Sequence, residues 1–188
     1  MKGKLGKEFH DPPRGRPPGA SARSGKIRIR NARPGDLEKI REVTISAFLQ
    51  YASRMPDRWE DYRQNIVETL AEAKITELIV AEQDGVLVGS VVLYPPGSPS
   101  SPEAPQVRLL AVVPSARGKG VGAALMRQCI RRAKKKGAEV LALHTTDLMS
   151  VAMHMYEKMG FTRAPDLDFR VENVVVKGYR FKLGNPSA

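Results

Sequence analysis

The chain has 188 residues, of which 41% are hydrophobic, as expected for one globular domain with a full core. No run approaches the roughly 18 consecutive apolar residues of a membrane-spanning helix, and the charged start predicts no secretory signal, so we expect a cytoplasmic protein. The single cysteine, Cys129, excludes an intramolecular disulfide and a cysteine-built metal cluster, and its apolar neighbours favour a small core residue over a catalytic thiol. The net charge of +11 suits acidic partners such as nucleic acid, an anionic membrane surface or a phosphorylated cofactor.

Residues 1–26 are rich in glycine, proline and charge, and they carry seven Lys and Arg against Glu8 and Asp11. Such a segment buries too little apolar surface to offset the entropy of ordering. We therefore predict a flexible basic tail over 1–26 and a single domain over 27–188. An inert extension, a sequence added for expression and a nucleic-acid arm all remain open for this tail.

Strand and helix patterns alternate through the first half of the domain. "KIRIR" predicts a strand, and "PGDLEKIREVTISAFLQYA" predicts a helix with Asp36 as its N-cap. "DRWEDYRQNIVETLAEAK" predicts a second helix with Trp59 and Tyr62 on its apolar side. "TELIVAEQDGVLVGSVVLY" predicts a hairpin that turns at Asp84 and Gly85, and "PPGSPSSPEAP" predicts a loop.

The second half continues the alternation. We predict a strand over Val107 to Val113, a helix from about Gly120 to Lys136, a buried strand in "AEVLALHT", a short helix in "SVAMHMYEKMG", an irregular turn in "TRAPDLD" and a last strand in "VVVKGYRFKL". The fold class is therefore α/β (α+β in some schemes), with a mixed central sheet of about six to seven strands flanked by about four helices. The basic run "RRAKKK" late in the long helix is interpreted as a solvated face.

The stretch "RGKGVG" joins the strand before it to the long helix and contains Gly118, Gly120 and Gly122. Free N–H groups of a first helical turn, with the positive end of the helix dipole, form an anion site that fits a phosphate. A tight turn also needs glycine, so the loop alone leaves a purely structural role open. A nucleotide-hydrolysing GxxxxGK[ST] loop is absent, and the dinucleotide fingerprint GxGxxG would require glycine where Ala123 stands.

"LAVVPSARGKGVGAAL" resembles the acetyl-CoA signature [Q/R]xxGx[G/A] of the GCN5-related N-acetyltransferase (GNAT) superfamily, with Arg117, Gly120 and Gly122 in the three signature positions. "AMHMYEKMGF" is similar to a second motif of that family, "AxxLYEKxGF". The order of elements from Ile27 to Leu183 also fits. The resemblance implies a GNAT fold with a splayed strand pair and acetyl-CoA as acetyl donor.

The same resemblance implies a cofactor site made largely of main chain. Pantetheine would pair with Leu110, Ala111 and Val112 between the two splayed strands. The pyrophosphate would bind the amides of Arg117, Gly118, Lys119, Gly120, Val121, Gly122 and Ala123. The family often has an asparagine where this chain has Met149; Asp147 or Ser150 substitutes for it, or the contact is absent.

Two residues are predicted to be catalytic. Tyr156 matches the family's tyrosine that protonates the departing thiolate, although a core tyrosine at helical spacing would look identical. Some members of the resembled family use a glutamate on the strand before the signature, where this chain has Gln106, Val107 and Arg108. Others place the base at the end of the following strand, twelve residues before the tyrosine, which implies His144 here. A histidine that only satisfies its own hydrogen bonds is the alternative for that position.

We therefore expect an N-acetyltransferase that moves an acetyl group to a primary amine by direct attack, through a tetrahedral intermediate. The amine, on a small molecule or a peptide, is not specified by the sequence; Tyr51, Arg54, Trp59, Tyr62 and the "PDLDF" turn are its candidate contacts. The alternatives are a catalytically silent acyl-CoA-binding module and a nucleic-acid-binding module on a GNAT-like fold. No membrane partner is expected, and a homodimer remains open.

Overall fold

A computed structural model describes residues 25–98, 101 and 103–184 of the chain. The predicted basic tail therefore lies outside the described residues, apart from its last two positions. Within the described part of the chain, no helix is long and apolar enough to cross a membrane.

The fold is built on one mixed sheet of eight strands. The strands are β1 (Ile27–Asn31), β2 (Leu78–Gln83), β3 (Val86–Tyr94), β4 (Gln106–Val112), β5 (Val140–Thr145), β6 (Thr162–Arg163), β7 (Phe169–Val171) and β8 (Val174–Lys182). Their order is β1-β2-β3-β4-β5-β8-β6, and β7 also pairs with β8. The sequence pattern did not predict two of these strands: β6 lies within "TRAPDLD", the segment interpreted as an irregular turn, and β7 directly follows that segment.

Four α-helices cover this sheet in the described residues: α1 (Leu37–Phe48), α2 (Trp59–Glu72), α3 (Val121–Lys135) and α4 (Ser150–Lys158). Buried side chains of α1 pack on Leu78, Val80 and Val92, on one face of the sheet. Those of α3 and α4 pack on the opposite face with Ile79 and Val91. Because both faces are covered, the central strands β2 and β3 are almost continuously apolar.

Local sequence signals account for the hairpin and the long helix. Asp84 and Gly85 both adopt positive φ, 52° and 79°, as the tight turn between β2 and β3 requires. Helix α3 ends before Gly137, which has a φ of 77°. Four basic residues of the predicted solvated face are exposed, opposite buried Met126 and Cys129, whereas Arg132 is half-buried; the four are Arg131, Lys134, Lys135 and Lys136.

The central irregularity of the sheet lies in β4. Ser90 pairs with Ala111 but Val92 pairs with Arg108, so β4 has one extra residue between these pairs. Leu109 lies in this bulge and has a φ of 49°, a strained value for a leucine. The bulge separates the half of β4 that pairs with β5 from the half that does not.

The parallel pairing of β4 with β5 is short. It includes only Gln106 with Ala142 and Val107 with Leu143, whereas β5 pairs with β8 along its whole length. From Arg108 onward, β4 therefore has no β5 partner, and a slot opens between the two strands. This slot is the splayed strand pair that the fold prediction included.

Candidate active site

The loop between β4 and α3 depends on two glycines with left-handed backbones. Gly118 has a φ of 72° and Gly120, directly before α3, has a φ of 80°. A Cβ atom added at either position would meet no protein atom within 4 Å, so the space beside both is open. Gly122 has a different function, since a Cβ there would lie 3.3 Å from the sulfur of Met155.

The amides of this loop have no acceptors in the described chain. From Gly118 to Ala123, none of the six N–H groups donates a hydrogen bond to another described residue, and the first helical bond runs from the Ala124 amide to the Gly120 carbonyl. Free amides at the N-terminus of a helix, next to open space, form a cradle for an anion. The predicted pyrophosphate residues from Gly118 to Ala123 are therefore brought together.

Arg117 is held differently from the rest of the loop. Its guanidinium donates to the carbonyl oxygens of Ala47 (2.9 Å) and Val112 (3.2 Å) and to the side-chain oxygen of Gln50 (2.9 Å). Its amide donates to the Pro114 carbonyl at 3.3 Å. The signature arginine thus ties the loop to the end of α1, and Lys119 similarly donates to the Ser115 carbonyl (2.9 Å).

The three predicted pantetheine positions lie on β4 after the bulge. Leu110 and Val112 are half-buried and pack toward α3 and α4, whereas Ala111 is buried on the opposite face. All three lie on the part of β4 whose edge toward the slot is not paired with β5. Such an edge offers main-chain donors and acceptors to an extended ligand.

Tyr156 lies on α4 and is buried in the core between α3, α4 and the sheet. Its ring lies 5.8 Å from that of Phe161, and its hydroxyl has no hydrogen-bond partner among the described residues. Burial raises the pKa of Tyr156, and the nearby Cys129 and Tyr51 raise it further. The phenol is therefore protonated at neutral pH and its donor capacity is unused.

His144 is half-buried at the end of β5, and both of its ring nitrogens are bonded. Nε2 lies 2.9 Å from the Leu167 carbonyl oxygen, and Nδ1 lies 2.5 Å from the Gln106 side-chain nitrogen. Since a carbonyl only accepts, Nε2 has the proton and Nδ1 accepts from Gln106. Burial lowers the pKa of His144, the bond to Leu167 opposes this, and the charge of Arg108 lowers it further.

An aromatic group from α1, α2 and the segment between them lies on the face of the sheet that includes His144. The ring of Phe48 is 6.1 Å from Tyr51 and 5.8 Å from Tyr62, and Trp59 is 6.4 Å from Tyr62. These residues pack with Leu109 and Met149. Three of the predicted acceptor contacts, Tyr51 after α1 and Trp59 and Tyr62 on α2, therefore lie next to the bulge of β4.

The second wall of this region is the β7–β8 hairpin, which the sequence did not predict. Phe169 of β7 packs edge-on against His144 with 5.1 Å between the ring centroids. Glu172, in the turn, forms a 3.2 Å ion pair with Arg58, just before α2. The hairpin and α2 are thus linked across the face that includes His144.

The end of β5 also contains unsatisfied hydroxyls. The side-chain oxygens of Thr145 and Thr146 are buried without a hydrogen-bond partner. Of the two predicted substitutes for the family asparagine, Asp147 is paired with Lys177 at 2.5 Å, and Ser150 is exposed at the start of α4.

Three other kinds of potential site remain: the free thiol, metal-ligand clusters and surface cavities. Burial raises the pKa of the Cys129 thiol to about 12, so it is an inert core residue, as predicted. The described residues contain no group of three or more His, Cys, Asp and Glu side chains that could hold a metal ion. Two surface cavities, lined by residues such as Pro105 and Val140 in one and Ile27 and Asp84 in the other, include none of the predicted site residues.

Comparison with known proteins matches residues 38–161 to the model of the acetyltransferase (GNAT) family. The mycothiol acetyltransferase of Cellulomonas flavigena is 30% identical over 154 residues, which cover 78% of this chain and 44% of the relative. The chain thus spans less than half the length of the first curated relatives it matches.

Two solved structures share the fold. The ribosomal-protein-S18-alanine N-acetyltransferase of Escherichia coli has a TM-score of 0.64 and 15% identity, over 86% of this chain and 97% of that one. The structure of yncA, a putative acetyltransferase from Salmonella typhimurium with its cofactor acetyl-CoA, has a TM-score of 0.59 and 19% identity, over 87% and 97% of the two chains.

Proposed function

Because this chain belongs to the acetyltransferase (GNAT) family, we propose that it is an N-acetyltransferase that moves the acetyl group of acetyl-CoA to a primary amine. The observation that carries the proposal is the cradle of six unpartnered amides from Gly118 to Ala123, at the N-terminus of α3. A diphosphate matches this cradle in charge and in hydrogen bonding, because the amides only donate.

The slot beside the cradle fits the rest of the cofactor. The unpaired edge of β4 begins after Val107, and the cradle follows the end of the same strand. An extended pantetheine arm would form main-chain hydrogen bonds at Leu110, Ala111 and Val112, much as an added strand would. When bound, acetyl-CoA supplies an activated acyl group whose sulfur is a good leaving group.

Tyr156 is proposed to be the general acid. Tyr156 is a buried residue whose hydroxyl is protonated and has no partner among the described residues. This hydroxyl can donate one hydrogen bond, so a sulfur atom placed next to it would gain a hydrogen bond and then a proton. This step takes the proton from the Tyr156 oxygen and leaves a phenolate, which solvent reprotonates.

His144 is proposed to be the general base, acting at Nδ1. The lowered pKa keeps the ring neutral near pH 7, and the bond from Nε2 to Leu167 fixes the tautomer. The acceptor amine, or a water molecule bound to it, must first replace the Gln106 amide at Nδ1. The proton then moves from the amine nitrogen to Nδ1 and gives an imidazolium.

The test is an assay of purified protein with acetyl-CoA and a panel of primary amines, in which released CoA thiol is measured. We expect saturable binding of acetyl-CoA and release of thiol that depends on an amine. Binding without release for any amine would support a silent acyl-CoA-binding module instead. Absence of affinity for acetyl-CoA would overturn the proposal.

A further inference from the structure

Arg108 is a half-buried cation for which the described residues provide no partner. It makes no hydrogen bond and no ion pair within residues 25–98, 101 and 103–184. By contrast, Arg30, Arg163 and Arg180 each contact at least one carboxylate. Withdrawing a guanidinium from water without a counter-charge is unfavourable. A site that retains such a group is suited to an anionic ligand.

The bulge of β4 determines where this cation lies. Arg108 is the last residue before the extra position, and Leu109 beside it packs with the aromatic group of α1 and α2. The charge of Arg108 lowers the pKa of His144 and opposes the effect of burial on the pKa of Tyr62. Because Val107 pairs with Leu143, the residues that follow them, Arg108 and His144, lie next to each other where β4 and β5 begin to separate. Arg108 is therefore close to the proposed base and, through Leu109, to the aromatic wall.

The acidic residues around this region already have partners. Asp168 accepts two hydrogen bonds from Arg163, at 3.0 and 2.8 Å, and one from the Gly178 amide at 2.8 Å. Glu172 is paired with Arg58. The counter-charge of Arg108 is therefore expected to come from a ligand rather than from a rearranged side chain.

The phosphates of the cofactor do not fit this position. Val112 lies four positions after Arg108 on β4, and the cradle begins six positions after Val112. At roughly 3.3 Å per residue, the part of β4 from Arg108 to Val112 is about 13 Å long. Arg108 therefore belongs to the acceptor end of the slot, while the diphosphate belongs to the other end.

We propose that the acceptor is an amine that also has a carboxylate, and that Arg108 binds this carboxylate while the amine lies at His144. The inference rests on the proposed function and names its substrate class. A planar guanidinium pairs with a carboxylate through two parallel hydrogen bonds, which would orient the amine as well as bind it. Arg108 is thus a specificity-determining residue that holds the substrate.

The experiment compares amines in matched pairs with and without a carboxylate: glycine and methylamine, β-alanine and ethylamine, 4-aminobutyrate and propylamine. 2-Aminoethyl phosphate forms a separate arm that distinguishes a phosphate from a carboxylate. We expect the wild-type protein to have at least tenfold higher kcat/KM for one carboxylated member than for its partner. Arg108→Gln should reduce that value about ten- to a hundredfold, mainly through KM, and Arg108→Lys should restore part of it.

The matched control is Arg127→Gln, which removes the same charge from an exposed position on α3. It should leave kcat/KM unchanged for both amines of every matched pair. Both glutamine variants should retain their affinity for acetyl-CoA. Transfer to amines without preference for a carboxylate would overturn this inference but not the proposed function. A preference for the phosphate arm, or an equal loss for both members of a pair in Arg108→Gln, would also overturn it. Absence of transfer to any amine would overturn the proposed function as well.

Discussion

The two ends of the slot between β4 and β5 are made of different groups. The end at α3 presents main-chain amides from Gly118 to Ala123, and its arginine is tied back to α1. The other end presents side chains from several elements, among them Arg108, His144 and Tyr62. Amides fixed by a turn suit a ligand that is always the same, whereas side chains can differ without disturbing the turn. The acceptor end is therefore where this chain would define its own substrate.

The largest effect is expected at Tyr156 of α4. Tyr156→Phe should reduce kcat about a hundredfold or more, because the departing sulfur loses its proton donor. Affinity for acetyl-CoA should not change. The free energy of unfolding should not fall either, since the hydroxyl has no partner among the described residues.

Tyr179→Phe is the matched control for this prediction. Tyr179 is also buried, but its hydroxyl donates to Glu157 at 3.2 Å. Its loss should lower stability and leave kcat unchanged. Equal values of kcat for wild type and Tyr156→Phe would remove the tyrosine from the chemistry and make it a core residue.

A smaller, pH-dependent effect is expected at the acceptor end. His144→Gln should reduce kcat/KM about ten- to a hundredfold near pH 7. Because the pKa of His144 is lowered, the wild-type rate should fall only below about pH 6.5, where the ring becomes protonated. In the variant the rate should instead rise with pH up to the pKa of the free amine, because only the unprotonated amine then reacts. The rates of the two proteins should therefore converge at high pH.

The control for the base is His154→Gln, on the exposed side of α4, where Nδ1 lies 2.8 Å from the Ser150 carbonyl oxygen. This variant should keep the wild-type pH profile. If His144→Gln had the same profile as well, His144 would be a structural link between Gln106 and Leu167.

At the cofactor end, Gly120→Ala should raise the Kd of acetyl-CoA about tenfold and leave kcat at saturation nearly unchanged. The alanine requires a left-handed backbone and fills the open space beside the amides. Gly137→Ala is the control: Gly137 has a similar φ of 77°, and an added Cβ there also meets no protein atom. This variant therefore tests the effect of backbone strain alone. Both variants should lose about 1 kcal/mol of unfolding free energy. A similar Kd of acetyl-CoA for the two variants would argue against the proposal that the amides beside Gly120 bind the diphosphate.

The prediction of the cofactor end needed only local sequence, because its residues are contiguous. Arg117 to Ala123 lie in one motif, and turn chemistry and helix geometry then determine where the amides point. The acceptor end joins residues from β4, β5 and α2 that are far apart in the chain, and the bulge at Leu109 has no glycine to indicate it. The available signal was Arg108, a charge within the otherwise apolar "VRLLAVV".

The hairpin of β7 and β8 shows a second limit of local patterns. The pattern predicts an irregular turn in "TRAPDLD" and no strand directly after it, yet Phe169, Arg170 and Val171 form a strand through pairing with β8. Asp36 is similar: it precedes α1 as predicted, but its carboxylate accepts from Arg30 rather than from the helix amides. In both places, a contact with a neighbouring strand, β8 for Phe169 and β1 for Asp36, outweighs the preference of the local pattern.

The smallest effect is expected at Arg30, far from the slot, and it tests whether a paired arginine differs from the unpaired Arg108. Arg30 contacts Asp36 (2.6 Å) and donates to Glu82 (2.7 Å), so Arg30→Gln should lower the free energy of unfolding by about 1–2 kcal/mol at pH 7. Hydrogen bonds from Arg30 lower the pKa of both carboxyls, so this stability is present above their ordinary pKa values and is lost as the pH falls below about 4. Thermal unfolding of the two proteins should therefore converge in acid, while kcat/KM for every amine stays at the wild-type value. A change in acceptor preference in Arg30→Gln would show that loss of any arginine disturbs the site, and the contrast with Arg108 would then have no basis.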